Sequence, residues 1–156
     1  MTARLENPFK LAPEGIKAMM AVDATLRKGS LEHGLLDLVK LRVSQINGCA
    51  VCLQMHATDL RKYGESEMRL YMLNAWRGSG LYSRRERAGL AWAESLTRVE
   101  QTGAPDADYA LVRSEFTDAE IVNLTLAIGA VNLWNRLQIG LRAQPTEGAV
   151  AAVNAA

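Results

Sequence analysis

Apolar residues recur along this chain at intervals of three and four, and no stretch sustains an apolar–polar alternation of period two. That spacing predicts helices from end to end. The segment "PEGIKAMMAVDATLRKG" runs from Pro13 to Gly29, with proline at its start and glycine beyond its end, the punctuation a helix prefers. A second helix, "LLDLVKLRVSQIN", lays Leu35, Leu38, Val39 and Ile46 along a stripe and then meets Gly48. A third is expected from near Cys49 to Gly64, and a fourth from about Ser66 to Trp76, where "RGSG" breaks it. Ser83 with Glu86, and Thr117 with Glu120, have the spacing of capping boxes, in which hydroxyl and carboxylate each close a free backbone N–H. The first box opens a helix to about Val99, and the second opens the long apolar "EIVNLTLAIGAVNLWNRLQIGL". Between them, "TGAPDAD" reads as a turn into a short helix over 107–115. The pattern predicts an all-α fold, one compact domain of about seven helices over 5–143. Residues 144–156 read as a small-residue tail with little to pack, frayed or held by a partner.

Residues 37–52 also echo 120–135, with acid on acid, Val39 on Val122 and Leu41 on Leu124. In that register Cys49 falls on Asn132 and Cys52 on Asn135. Two amphipathic helices reach such a match by chance about as often as by duplication.

Composition narrows the partners more than the fold. The 156 residues suffice for a sizeable core, and 49% hydrophobic with 22% charged residues is ordinary for a globular protein. Lys plus Arg number 18 against 17 Asp plus Glu, a net charge of +1 that attracts neither polyphosphates nor an anionic bilayer. No nucleic-acid or membrane partner is expected. The start lacks a signal-peptide pattern, and no apolar run approaches the ~20 residues of a membrane span, so a cytoplasmic location is expected. There, a disulfide is usually transient, catalytic or sensing.

The chemistry concentrates in "QINGCAVCLQMHATDL", which holds both cysteines and one of the two histidines. On a helix beginning near Cys49, positions 49, 52, 53, 56, 60 and 63 share a face. Cys52 and His56 are then one turn apart, close enough for imidazole to take or share the thiol proton. Cys49 falls in the first turn, where free N–H groups and the helix dipole favour a thiolate. A thiolate can attack a peroxide oxygen to give a sulfenic acid, and a second thiol three residues away can displace water to close a disulfide. Three readings stand: a redox dithiol, two small core residues beside a chance histidine, or a zinc site in which Cys49, Cys52 and His56 are joined by His33 or Asp37. Structural zinc usually pairs two ligand clusters, and no second CxxC or HxxxH is present. No Walker loop, GxGxxG or GxSxG occurs either, so no cofactor is expected.

The run "LLDLVKLRVSQINGCAVCLQMHATDLRKYGE", together with "LNAW", "ERAGLAWAESLTR" and "EIVNLTLAIGAVNLWNR", resembles the AhpD-like alkylhydroperoxidases of the carboxymuconolactone decarboxylase superfamily over nearly the whole chain. The resemblance implies a helical subunit that forms trimers or hexamers, and thiol-dependent reduction of a hydroperoxide by way of an external dithiol. It implies Cys52 as the attacking cysteine, Cys49 as the resolving one, and His56 in a proton relay. The relay carboxylate lies twelve residues before the first cysteine, which makes it Asp37. The family has Glu there, and Asp is one methylene shorter, so its reach toward His56 falls by about 1.5 Å unless the helices close up or water bridges them. Read without the family, Asp37 is a surface partner of Lys40 at i+3. Well-known members also carry a histidine between the cysteines, where this chain has Val51.

Which sulfur attacks is contested within the sequence: the helix start favours Cys49, proximity to His56 favours Cys52. The other conspicuous residues have structural readings. Trp76, Trp92 and Trp134 are expected in the core or an interface, the six methionines in flexible core packing, and His33 in solvent. Asn132, Asn135 and Arg136 are expected to satisfy buried backbone or line a pocket. The reaction expected is hydroperoxide reduction; a redox adaptor or sensor without turnover, a zinc-stabilised helical module and a lactone decarboxylase are the alternatives.

Overall fold

A computed structural model of the chain describes residues 2–145. Among these the fold is all-α, with nine α-helices and one 3₁₀ turn: α1 (Pro8–Leu11), α2 (Pro13–Arg27), α3 (His33–Asn47), α4 (Ala50–Lys62), α5 (Glu67–Met72), the 3₁₀ turn Leu73–Gly78, α6 (Arg84–Thr97), α7 (Val99–Thr102), α8 (Asp106–Glu115) and α9 (Asp118–Gly140). Both capping boxes form. The elements beyond the expected seven are single turns made by local chemistry rather than by hydrophobic period. Pro8 starts α1, and α7 begins after Arg98 leaves helical geometry and ends at Gly103. The expected fourth helix divides, because Ala75 departs from helical backbone angles and the chain tightens into the 3₁₀ turn. Most of the expected tail, 146–156, lies outside the described residues. No described helix is long and apolar enough to cross a membrane.

Helix α3 is the axis of the molecule. It packs against α4, α6 and α9, and from Leu35 to Ser44 every residue except Arg42 is buried. Its side chains feed two apolar clusters. Leu35, Leu36, Val39 and Val43 meet Trp92 of α6 and Leu124 and Ile128 of α9. Leu38 and Leu41 meet Leu60 of α4, Trp76 of the 3₁₀ turn and Leu90 of α6. Each such leucine contributes roughly 1.5–3 kcal/mol through area removed from water. Gly89 sets the α3–α6 spacing, because a Cβ there would stand 3.3 Å from Leu35 Cδ1 and 3.6 Å from Phe116 and Val39.

A half-buried carboxylate ties these layers. Glu94 of α6 accepts from Arg42 Nε at 2.7 Å, Trp76 Nε1 at 2.9 Å and Arg77 at 2.9 Å. Burial pushes its carboxyl up, but the hydrogen bonds from Trp76, Arg42 and Arg77 outweigh that and hold it below the usual range. Replacing Glu94 by Gln leaves the Arg42 guanidinium without its counter-charge, so the expected cost is about 2–4 kcal/mol in urea unfolding. In the same assay Arg113→Gln, which loses only a solvent-exposed pair with Asp118 at 3.9 Å, is expected to stay within about 0.5 kcal/mol.

Candidate active site

The two cysteines stand at a break between helices that glycine makes possible. Gly48 ends α3 at φ 70°, a left-handed conformation that costs other residues about 1 kcal/mol. The backbone N–H of Cys49 then donates to Ser44 O at 3.1 Å, and Cys49 becomes the N-cap of α4, its Sγ accepting from the Cys52 N–H at 3.4 Å. Cys49 and Cys52 are joined as a disulfide, with Cα atoms 5.3 Å apart and 1% and 2% of their surface exposed.

Helix α9 braces this break through amides. Asn47 donates to Asn132 Oδ1 at 3.0 Å and Asn135 Oδ1 at 2.8 Å, and Asn135 donates to Ser44 Oγ at 3.1 Å. Arg136 donates to the backbone and side-chain oxygens of Asn132, each at 2.9 Å. These residues are therefore structural. The internal echo ends here as well: α9 runs unbroken through Val131, the position matching Gly48, so it repeats α3 but not the helix pair.

Cys52 and His56 of α4 open onto a cavity of about 360 Å³. Its walls combine Met20, Val51, Met55 and Val131 with four charged side chains, Asp23, Arg27, Lys40 and Asp59. Trp134 forms part of the wall and donates to Asp23 Oδ2 at 2.7 Å, and Phe9, also in the wall, stacks on it with centroids 6.1 Å apart. Trp134 is thus a cavity residue rather than core filler, although Trp76 and Trp92 are buried as expected. The methionines depart from expectation too. Met20, Met55, Met68 and Met72 are exposed, and the first two line the cavity, since the core is filled by Leu, Val and Ile.

Burial controls the site's electrostatics. His56 is 5% exposed, and its pKa is lowered to about 4, first by burial and then by the charge of Lys40. The ring is neutral at pH 7, and its Nδ1 has no hydrogen-bond partner. Lys40, also 5% exposed, donates to Asp23 Oδ1 at 2.9 Å. Asp37 is fully buried behind the cavity wall, not on the surface, and it pairs with Arg27 at 2.7 Å, not with Lys40. That overturns the surface-pair reading: Asp37 and Lys40 are both buried, and each takes its partner from α2, Asp37 from Arg27 and Lys40 from Asp23. Burial pushes the Asp37 carboxyl up against the opposing pull of Arg27. Its Oδ2, like Nδ1 of His56, has no partner, and no hydrogen bond joins the two residues.

Of the residues singled out in sequence, Cys49, Cys52 and His56 are brought together, and Asp37 is adjacent through Arg27. The zinc reading finds no ligand set, because no three His, Cys, Asp or Glu side chains among the described residues gather to hold a metal. His33 is exposed, as expected, and its ring donates from Nε2 to the Arg27 carbonyl at 2.7 Å. Sequence reasoning missed Lys40, Arg27, Asp23 and Trp134 as site residues. Lys40 had a signal, a lysine amid the apolar run "LLDLVKLRV", whereas the α2 residues had none.

Comparison with known proteins places this geometry. The model of the carboxymuconolactone decarboxylase family matches residues 13–95. The uncharacterized protein YdfG of Bacillus subtilis is 40% identical over 133 residues, covering 85% of this chain and 90% of that protein. The crystal structure of an Agrobacterium tumefaciens protein of unknown function, with a suggested identity as antioxidant defence protein AhpD, superposes with a TM-score of 0.89 at 43% identity, covering 93% and 99% of the two chains. The debrominase Bmp8 shares the fold alone, with a TM-score of 0.77 at 13% identity over 94% of this chain and 78% of its own. The AhpD-like fold and the cysteine pair fit a peroxidase-related function. By family model, sequence identity and fold, this chain is an AhpD-like member of the carboxymuconolactone decarboxylase family.

Proposed function

We propose that the protein is a thiol-dependent hydroperoxidase. The observation that carries the reading is that Cys52, one half of a disulfide-bonded pair, shares a cavity with a neutral imidazole and a buried ammonium. In the reduced state His56 accepts the Cys52 proton, and the nearby Lys40 charge favours the thiolate. The thiolate attacks the terminal oxygen of ROOH, the O–O bond breaks, and the leaving alkoxide takes a proton from the imidazolium to depart as ROH. The Cys49 thiol then attacks the Cys52 sulfenic acid, releases water and closes the disulfide. An external dithiol restores the pair. Asp37 acts on the relay from behind, by holding Arg27 against the cavity.

A base of pKa about 4 is weak for a thiol, but that value belongs to the disulfide state, in which no thiolate faces the ring. A Cys52 thiolate beside His56 raises the affinity of the ring for a proton, so the two groups titrate as a coupled pair. Assembly into trimers or hexamers belongs to the same reading. It is supported by Val122, Leu126 and Leu133, exposed along one stripe of α9.

Purified protein is expected to consume cumene hydroperoxide only when a dithiol is supplied, and to turn over many times, which an adaptor or sensor would not do. Cys52→Ser is expected to abolish turnover, and Lys40→Met to lower it at least tenfold with partial rescue by Lys40→Arg. Undiminished consumption by a Cys49/Cys52 double serine variant would refute the proposal. A sulfenate trapped on Cys49 in the Cys52→Ser protein, with none on Cys52 in Cys49→Ser, would reverse the assignment of the attacking sulfur.

His56 supplies a pH test of the disulfide form. Its folded pKa, about 4, lies below the ordinary 6.5, so the unfolded chain binds this proton first as pH falls. Folding therefore loses stability between pH 6.5 and 4, by about 3 kcal/mol at the lower end. The His56 ring resonances are expected to show a neutral imidazole at pH 6 and a midpoint near 4, and urea titrations should show the loss reduced in His56→Phe. A ring midpoint near 6.5 would contradict its burial.

For assembly, light scattering after size exclusion is expected to give a multiple of the 17.1 kDa chain. Leu126→Glu with Leu133→Glu is expected to shift it toward the single chain.

A further inference from the structure

Methionine is among the residues most often buried, yet this chain sets two exposed ones on a single cavity. Met20 of α2 and Met55 of α4 line the cavity to which Cys52 and His56 belong, and they are 60% and 49% exposed. Met68 of α5 is 59% exposed and has no part in that cavity. Leucine would give the same apolar wall without a sulfur, and no methionine is among the buried residues of either apolar cluster. We propose that Met20 and Met55 are sites of oxidation by an organic hydroperoxide that enters the cavity, and that their sulfoxides close the site to further apolar substrate. The inference rests on the reading of this cavity as a hydroperoxide site, and adds to it a limit on the dose the protein tolerates.

A thioether is uncharged and reacts with a peroxide more slowly than a thiolate, so in free solution its oxidation follows exposure. By exposure alone Met20, Met55 and Met68 are equivalent. Their surroundings separate them. Val51, Val131 and Trp134 join Met20 and Met55 around a volume of small-molecule size, which retains an alkyl or aryl group and holds its O–O bond near the two sulfurs. Hydrogen peroxide carries no such group and gains nothing from the apolar wall. The preference for Met20 and Met55 is therefore a property of organic hydroperoxides. When the cysteines stand as the disulfide, no thiolate competes for the bound peroxide, so an excess of peroxide over reductant is the condition that oxidises the methionines.

In the step itself a sulfur lone pair takes the terminal oxygen of ROOH, and the O–O bond breaks. The proton of that oxygen passes to solvent, the departing alkoxide takes one up, and ROH leaves. The thioether loses two electrons and the peroxide gains them. The resulting sulfoxide is polar and stands in a wall that held an apolar group, so the affinity for that group falls.

The test uses the disulfide form of the wild-type protein, so it requires no turnover. The protein is incubated with equal concentrations of cumene hydroperoxide or hydrogen peroxide and desalted at intervals, and its peptides are mapped by mass spectrometry. With cumene hydroperoxide, sulfoxide is expected on Met20 and Met55 at least fivefold faster than on Met68. With hydrogen peroxide the three rates are expected to agree within about twofold. Excess cumyl alcohol, the reduced product, is expected to protect Met20 and Met55 and to leave Met68 unchanged. Met68 keeping pace under cumene hydroperoxide, the same ratios with both oxidants, or no protection by cumyl alcohol overturns the assignment. The effect on binding is read by calorimetric titration with cumyl alcohol, which is expected to bind the treated wild type at least fivefold more weakly than the untreated. A Met20→Leu, Met55→Leu double variant, treated in the same way, is expected to keep its own untreated affinity within twofold. Equal weakening in both proteins overturns the closing of the site. A Met20 and Met55 preference in a protein that, once reduced, turns over no peroxide would leave this inference standing and remove the peroxidase reading.

Discussion

A helix buried on every side must bring partners for each polar group it carries, and that constraint on α3 organises the molecule. Asp37 draws Arg27, and Lys40 draws Asp23, both from α2. Arg42 draws Glu94 from α6, and Ser44 draws Asn135 from α9. Leaving any one of these unpaired in the core would cost from one to several kcal/mol, comparable with a large fraction of a domain's net stability. The apolar clusters on either side supply most of the gross stabilisation but are tolerant of shape. The polar pairs are not tolerant, and they fix which helix lies where. The dithiol stands at the end of this helix, and its surroundings follow from the pairing.

The same burial sets the chemistry of the site. Removing His56 from water favours its uncharged form, and the Lys40 charge acts in the same direction. Asp23 holds Lys40 and also receives the Trp134 N–H, so one carboxylate positions both a cation and an aromatic wall of the cavity. Apolar side chains between these groups keep the local dielectric low and make each charge felt more strongly.

Much of this was legible in the sequence because it depends on local signals. The capping boxes at Ser83 and Thr117, Pro13 at the start of α2 and Gly48 at the end of α3 act within a turn, and each does what its residue type dictates. The closeness of Cys49, Cys52 and His56 was legible for the same reason. What the sequence hid were pairings between distant segments. Asp37 and Lys40 are three apart on one helix, which favours a mutual pair in an isolated helix. Arg27 and Asp23 of α2, ten and seventeen residues away in sequence, turned both toward other partners. The place of Trp134 in the cavity wall was hidden likewise, because it depends on Asp23, 111 residues distant. The methionines were misread by base rate, since nothing local distinguishes a core methionine from a cavity-lining one.

The aspartate at position 37 then has a physical consequence. The Asp37 carboxylate ends against the Arg27 guanidinium at 2.7 Å, which commits it to that partner. One of its oxygens, the Nδ1 of His56 and one Arg27 nitrogen are buried without a hydrogen-bond partner, and each costs free energy in that state. Orphan atoms of this kind persist only where something else compensates them. Here Arg27 compensates the aspartate, and Lys40 is the charge that acts most strongly on the imidazole. The consequence is a site whose electrostatics rest on two cations held by α2 and α3, rather than on a direct carboxylate–imidazole contact.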